Sequence, residues 1–160
     1  MNQSDDKKYI RRCIALSKKS YERGAGPFAS LIVKDDKILA ESINGASKDI
    51  TAHAEIIVMR KARKLRNSDL ADCTLYTNCE PCPMCSFMIR EFKVGRVVFA
   101  LHSPFMGGYS KWKILEDKDL SEIKPYFGGV PKIRSGVCEK EAVEFFDKIM
   151  FPIQKKYKNL

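Results

Sequence analysis

The sequence has no long apolar run among its 160 residues. No stretch approaches the roughly 20 apolar residues that a membrane-spanning helix needs, and no apolar segment follows residues 1–8 as it would in a secretory signal peptide. Internal repeats and low-complexity segments are also absent, which argues against a repeat architecture. We therefore expect a soluble, cytoplasmic protein with no membrane partner.

The composition is that of one globular unit. With 44% hydrophobic residues, a chain of this length can bury a substantial core around one sheet. We predict a single domain over residues 1–160.

The cysteines do not suggest a disulfide framework, although their number, six, is even. Three of them, Cys79, Cys82 and Cys85, fall within seven positions, where pairing with one another would be strained. A chain of this size also has no need of covalent cross-links. We expect reduced cysteines, with Cys13, Cys73 and Cys138 acting as small buried apolar residues.

The formal net charge of +9 raises the question of a nucleic-acid partner. Part of the excess lies in the basic run 60–66 and part in the tail 155–158. A solvated helix face and a frayed terminus explain these runs at least as well as phosphate binding does, because a charge run alone specifies no partner. A polynucleotide such as tRNA remains possible.

Apolar periodicity and turn residues predict five strands alternating with four main helices. We predict helices over 5–23, 52–65, 83–93 and 139–150, and strands over 28–33, 37–43, 73–77, 94–101 and 132–137. A short helical turn is expected over 112–115, another near Ser121, and Pro152 should interrupt the last helix. This order gives a sheet with helices on both faces.

Three residues in the middle of the chain form a set of metal ligands. Zinc takes imidazole nitrogen and thiolate sulfur, and a catalytic site uses three protein ligands so that a fourth position stays open. His53, Cys82 and Cys85 supply this set, each near a predicted helix N-terminus, where thiol pKa values fall. The Cys-x-x-Cys pair alone is equally compatible with a redox pair or a structural zinc knuckle. The redox alternative leaves the histidine unexplained, and the knuckle would need a fourth ligand, for which only the distant His102 remains.

Glu55 lies two residues after His53. A lone glutamate at a helix N-terminus is ordinarily explained by capping and by compensation of the helix dipole. Beside a catalytic zinc, the same carboxylate can take a proton from a metal-activated water and deliver it to a ring nitrogen and a leaving amine. We predict that Glu55 is the catalytic acid and base.

The motifs His53-Ala54-Glu55 and Pro81-Cys82-Pro83-Met84-Cys85 resemble the signature of zinc nucleobase deaminases. With their flanking residues they resemble the cytidine-deaminase-like superfamily, nearest the branch of bacterial guanine deaminases and tRNA adenosine deaminases. The resemblance implies a three-layer α/β/α sandwich with a five-stranded mixed sheet, usually oligomeric, and we expect a homodimer. It also implies one zinc ion on His53, Cys82 and Cys85, Glu55 as proton shuttle, and a base held by the Ala54 N–H and the Asn44 side chain.

The residues around these motifs point to more than one substrate. Gly26-Pro27-Phe28 resembles guanine deaminases, in which an aromatic ring lines the base pocket, whereas residues 95–99 resemble the tRNA enzymes. The segment 102–112 has neither the aspartate pair of the guanine enzymes nor the small residues of the tRNA enzymes. Its aromatic residues either stack over a small base or pack against the core. On the first alternative, Trp112 joins Phe28 in binding the substrate.

The chain is thus predicted to be a hydrolytic deaminase that releases ammonia from a free aminopurine or aminopyrimidine base or from its nucleoside, of guanine or cytosine type. One alternative is a tRNA adenosine deaminase acting at the wobble position. A second alternative is a zinc-stabilised binding module without catalysis.

Overall fold

The computed structural model describes residues 3–157, and the side chains of residues 5–148. Its helices are α1 (Gln3–Glu22), α2 (Ala54–Arg66), α3 (Pro83–Glu91), α4 (Asp119–Glu122) and α5 (Glu139–Tyr157). Its strands are β1 (Ala29–Lys34), β2 (Lys37–Ile43), β3 (Thr74–Cys79), β4 (Arg96–Leu101) and β5 (Lys132–Arg134). The five predicted strands are all present. No helix in this described part is long and apolar enough to cross a membrane.

The strands form one mixed sheet in the order β2-β1-β3-β4-β5. β1 pairs antiparallel with both β2 and β3, whereas β3, β4 and β5 run parallel to one another. Parallel neighbours need a crossover, which α3 provides between β3 and β4. The carboxyl ends of β3 and β4 therefore lie at the same edge of the sheet.

Each face of the sheet is covered by two helices. On one face, buried residues of α2 and α3 pack against Ile32, Leu75 and Val97 of the strands. On the other face, α1 and α5 cover the alternate residues Leu31 and Tyr76, among others. Successive strand residues point to opposite faces, so a sheet buried on both sides needs apolar residues at nearly every position. The predicted three-layer α/β/α sandwich is confirmed.

Two local predictions are wrong. Residues 112–115 form hydrogen-bonded turns and not a helical turn, because the backbone N–H groups of Ile114 and Leu115 both donate to the Gly108 carbonyl and not to a carbonyl three or four residues earlier. The last helix continues through Pro152 to Tyr157. A proline inside a helix removes one backbone hydrogen bond and kinks the chain without necessarily ending the helix. The predicted basic tail extends beyond the described residues.

Candidate active site

The three predicted metal ligands meet where two helices begin beside the carboxyl end of β3. His53 is the N-cap of α2, which begins one residue later, so this histidine lies just before the first turn and not within the helix as predicted. Cys82 is the N-cap of α3, with Pro83 at its first position, where a missing N–H costs nothing. Cys85 lies in the first turn of α3 and is fully buried.

The ligand atoms have the spacing that tetrahedral zinc requires. The Nδ1 atom of His53 lies 3.5 Å from the Cys82 sulfur and 3.4 Å from the Cys85 sulfur, and all three atoms lie within 4.8 Å of one another. Usual zinc–sulfur and zinc–nitrogen bond lengths give an edge of about 3.5 Å between such ligands. The donor set therefore fits one zinc ion. Among the described residues, no fourth His, Cys, Asp or Glu joins this group.

The two thiols differ in acidity. A hydrogen bond from Cys85, together with the nearby His53, lowers the pKa of Cys82 to about 5 despite partial burial. The pKa of Cys85 is raised, because it donates to Cys82 and is buried next to Glu55. One sulfur is thus already suited to bind a metal as thiolate, the form that zinc requires.

Glu55 is buried within α2 and points toward the same ligands. Its Oε1 accepts a hydrogen bond from the Thr77 hydroxyl at 3.3 Å, and its Oε2 lies 3.6 Å from the Cys85 sulfur. Burial raises the pKa of this carboxyl group, with the Cys82 charge adding to the effect. A carboxyl group so placed can both accept and return a proton beside the metal.

A cavity of about 520 Å³ opens over these residues. This volume is within the usual range for pockets that bind small molecules. Its walls combine the metal-site residues with a loop after β4 and with one face of α5. The lining residues are Phe28, Asn44, His53, Glu55, Cys79, Glu80, Cys82, Leu101, His102, Ser103, Pro104, Phe105, Met106, Val143, Phe146 and Asp147.

The structure brings the predicted base-binding residues Asn44 and Phe28 into this cavity. Asn44 follows the last residue of β2, and its backbone N–H donates to the Phe28 carbonyl at 3.0 Å. A Cβ atom on Gly26 would lie 2.6 Å from the Asn44 side-chain nitrogen, so only glycine leaves room for this amide. The Phe28 ring packs against Phe146 of α5, with 5.9 Å between the ring centroids.

The other two predicted substrate contacts, Ala54 and Trp112, are not among the residues that line the cavity. Ala54 is buried at the first position of α2, where helix geometry leaves its N–H without an intrahelical partner. Trp112 is 55% exposed and is not part of the cavity wall. The Trp112 backbone N–H donates to the Gly107 carbonyl at 3.0 Å. Trp112 therefore does not line the cavity of this chain, and its contact with a base stays a prediction.

We call residues 102–112 the roof loop, because its first half covers the cavity. Phe105 lines the cavity while remaining 74% exposed, so it can stack on a ligand from the rim. Tyr109 points the other way and packs edge-on against Phe99 of the core. Tyr109 thus packs against the core, as one of the two predicted roles has it, whereas Phe105 lies at the rim of the cavity.

Several cavity residues were not predicted from the sequence. Phe146 and Asp147 come from α5, more than 90 positions after Glu55, and no local motif marks them. Glu80 is buried directly before the cysteine pair. Cys79 lines the cavity without joining the metal ligands, and burial together with Glu55 and Glu80 raises its pKa to about 12. For these unpredicted residues the sequence offered one signal, the carboxylate of Glu80 inside the cysteine motif.

Known proteins share both the motif and the fold. Residues 3–101 match the cytidine and deoxycytidylate deaminase zinc-binding region. A guanine deaminase from Bacillus subtilis is 47% identical over 81 residues, which are 48% of this chain and 52% of that protein. The aligned part thus spans about half of that relative.

Two further relatives act on tRNA. A tRNA-specific adenosine deaminase from Aquifex aeolicus is 32% identical over 117 residues, covering 71% of this chain and 78% of that protein. A solved structure of a tRNA:A34 deaminase superposes with a TM-score of 0.75 at 27% identity, over 85% of this chain and 96% of the other. With its ligand geometry, cavity and matched region, the chain belongs to the zinc-dependent cytidine and deoxycytidylate deaminase family.

Proposed function

We propose that this protein hydrolyses the exocyclic amine of a free nucleobase or nucleoside of guanine or cytosine type and releases ammonia. The observation that carries the proposal is the cavity, which joins the metal ligands and Glu55 to a roof of side chains from the same chain. Such a pocket suits a planar ring of a few atoms, bound largely out of water.

The reaction replaces a C–NH2 group by a carbonyl, with one water consumed and one ammonia released. Zinc, when bound, lowers the pKa of water from 15.7 to about 7 and so supplies a nucleophile at neutral pH. Glu55 takes the proton of the attacking water on Oε2, which faces the ligands, and passes it to the adjacent ring nitrogen. Glu55 then takes the second proton from the hydroxyl group added to the ring carbon and delivers it to the leaving amine, so that a carbonyl forms as the C–N bond breaks and ammonia leaves.

The other residues orient the ring. The Thr77 hydroxyl holds Oε1 of Glu55 and leaves Oε2 for the proton transfers. The Asn44 amide offers both a donor and an acceptor for the polar edge of a base. Phe28 gives one apolar wall, supported by Phe146.

Replacement of Glu55 tests the mechanism. We expect Glu55→Gln to keep one zinc per chain and to lower ammonia release by about 10² to 10⁴, since it removes general acid–base catalysis without changing shape. Zinc content is measured by atomic emission and turnover by ammonia release from guanine and cytosine. The matched control is Glu91→Gln, an exposed carboxylate on α3.

Turnover that survives Glu55→Gln would overturn the proposed mechanism. A wild-type protein that binds zinc but releases no ammonia from any base, nucleoside or tRNA would instead support the non-catalytic zinc module.

The second candidate is deamination of adenosine in tRNA. The A. aeolicus relative and the net charge of +9 favour it. It predicts that an anticodon stem-loop is a better substrate than any free base and that binding weakens steeply with salt, because phosphate contacts release counterions. A panel of guanine, cytosine, adenine, their nucleosides and the stem-loop decides between the candidates.

The homodimer stays a prediction, and light scattering can measure the oligomeric state.

A further inference from the structure

Glu80 is a buried carboxylate whose partners come from the roof loop. Its Oε1 accepts from the backbone N–H of Tyr109 at 3.0 Å and of Ser110 at 2.5 Å. Its Oε2 accepts from the Ser103 N–H and from the Ser110 hydroxyl, both at 2.8 Å. The Nδ1 atom of His102 lies 3.4 Å from the same oxygen. One side chain therefore holds both ends of the segment 103–110.

Two glycines let the loop approach this carboxylate closely. A Cβ atom on Gly107 would overlap Oε1 of Glu80, and a Cβ on Gly108 would overlap the Ser86 hydroxyl. The Gly108 N–H also donates to the Pro81 carbonyl at 2.8 Å. The roof loop thus rests directly on the segment 80–86, which carries the two cysteine ligands.

The residues between the two anchored ends are those that cover the cavity. Ser103, Pro104, Phe105 and Met106 all line it. Phe105 and Met106 are also 74% and 57% exposed, so burial in the core does little to hold them in place. The position of this part of the roof therefore depends on its anchored ends.

We propose that Glu80 is a positioning residue that fixes the roof loop over the metal site and so determines how tightly a base is held. Glu80 does not belong to the metal-ligand group, so its role is distinct from that of the cysteines beside it. The kinetic part of the inference rests on the proposed deaminase function; the structural part does not.

Two substitutions test it in different ways. Glu80→Gln keeps the size of the side chain but replaces one acceptor oxygen by an NH2 group. This NH2 group would face N–H or O–H donors of the roof loop, so the hydrogen bonds at that oxygen are lost. Gly107→Ala leaves the carboxylate intact and pushes the loop away from it. The matched control is Gly129→Ala, because a Cβ at Gly129 meets nothing within 4 Å.

Both test variants should raise KM for the best base by about 10-fold or more, with a smaller change in kcat and with one zinc per chain. The single tryptophan of the chain, Trp112, lies at the end of the roof loop, and its emission should shift to the red. Trypsin should cut after Lys111 faster than in the wild type. Gly129→Ala should leave all five measurements (KM, kcat, zinc content, emission and cleavage) unchanged.

Unchanged KM, emission and cleavage in both Glu80→Gln and Gly107→Ala would overturn the inference. A fall in kcat together with loss of zinc would also overturn it, since Glu80 would then support the metal site. If the wild type releases no ammonia from any substrate, the proposed function fails, and the emission and trypsin measurements still decide whether Glu80 anchors the loop.

Discussion

Asp147 brings a carboxylate into the cavity from outside the metal site. It lies on α5 beside Phe146, whose ring supports Phe28. A free base carries a ring N–H at the atom that bears the sugar in a nucleoside, and a carboxylate is a strong acceptor for such a group. Under the proposed function, we therefore expect Asp147 to favour a free base over the corresponding nucleoside.

Asp147→Asn should lower kcat/KM for the preferred free base by about 10-fold, because a hydrogen bond to a charged group is replaced by a weaker one. The loss for the matching nucleoside should be smaller. The control is Glu144→Gln, an exposed carboxylate on the same helix that does not line the cavity. Equal losses for base and nucleoside would remove Asp147 from substrate selection.

At the scale of the elements, α2 and α3 both begin at a metal ligand. Neither His53 nor Cys82 makes a side-chain capping hydrogen bond to its helix. These positions would usually be occupied by Ser, Thr, Asp or Asn, which stabilise the helix start. Both helices thus lack a side-chain cap, and the His53 and Cys82 side chains are available to bind the metal.

The start of β1 is fixed by one buried side chain. The Asn78 amide accepts from the Ala29 N–H and donates to the Pro27 carbonyl, both at 2.9 Å. These bonds hold the backbone on either side of Phe28. The wall of the cavity is therefore tied to β3, which leads directly into the cysteine motif.

Asn78→Ala should lower the free energy of unfolding by about 2 to 4 kcal/mol, since two buried backbone groups lose their partners. It should also raise KM, because Phe28 is no longer held. Denaturant unfolding and steady-state kinetics measure the two effects. A loss below about 0.5 kcal/mol in the alanine variant would contradict this account.

Across the whole molecule, a buried ion cluster joins four elements away from the cavity. Asp6 of α1 accepts from Tyr76 of β3 at 2.8 Å and from Arg96 of β4 at 2.7 Å, and it also binds Arg134 of β5. Burial alone would raise the pKa of Asp6, but the hydrogen bonds from Arg96, Tyr76 and Arg134 lower it to about 2.

A carboxyl group with a lowered pKa stabilises the folded state above its unfolded pKa, and this contribution disappears as the pH falls through the folded value. For Asp6 the window runs from about pH 4 to about pH 2. The shift corresponds to about 2 kcal/mol. Urea unfolding should therefore show wild type more stable than Asp6→Asn at pH 7, with the difference shrinking across this window.

Glu91→Gln again serves as the control and should follow the wild-type pH dependence. A wild-type advantage over Asp6→Asn that stays constant from pH 5 to pH 2 would show that Asp6 stabilises the fold by packing and not by its charge.

The sequence alone determined the metal ligands, Glu55, the family resemblance and the layered fold. These features could be predicted because each is encoded by residues close together in the sequence. His53 and Glu55 share one short motif, as do Cys82 and Cys85, and the apolar pattern of each strand is continuous along the chain. The tertiary structure decided the rest of the cavity. Asp147, Phe146 and the contacts of Glu80 with the roof loop join residues more than 20 positions apart, and no local pattern encodes such pairs. Trp112 shows the reverse, since its residue type suggested a base contact while the structure leaves it exposed and outside the cavity wall.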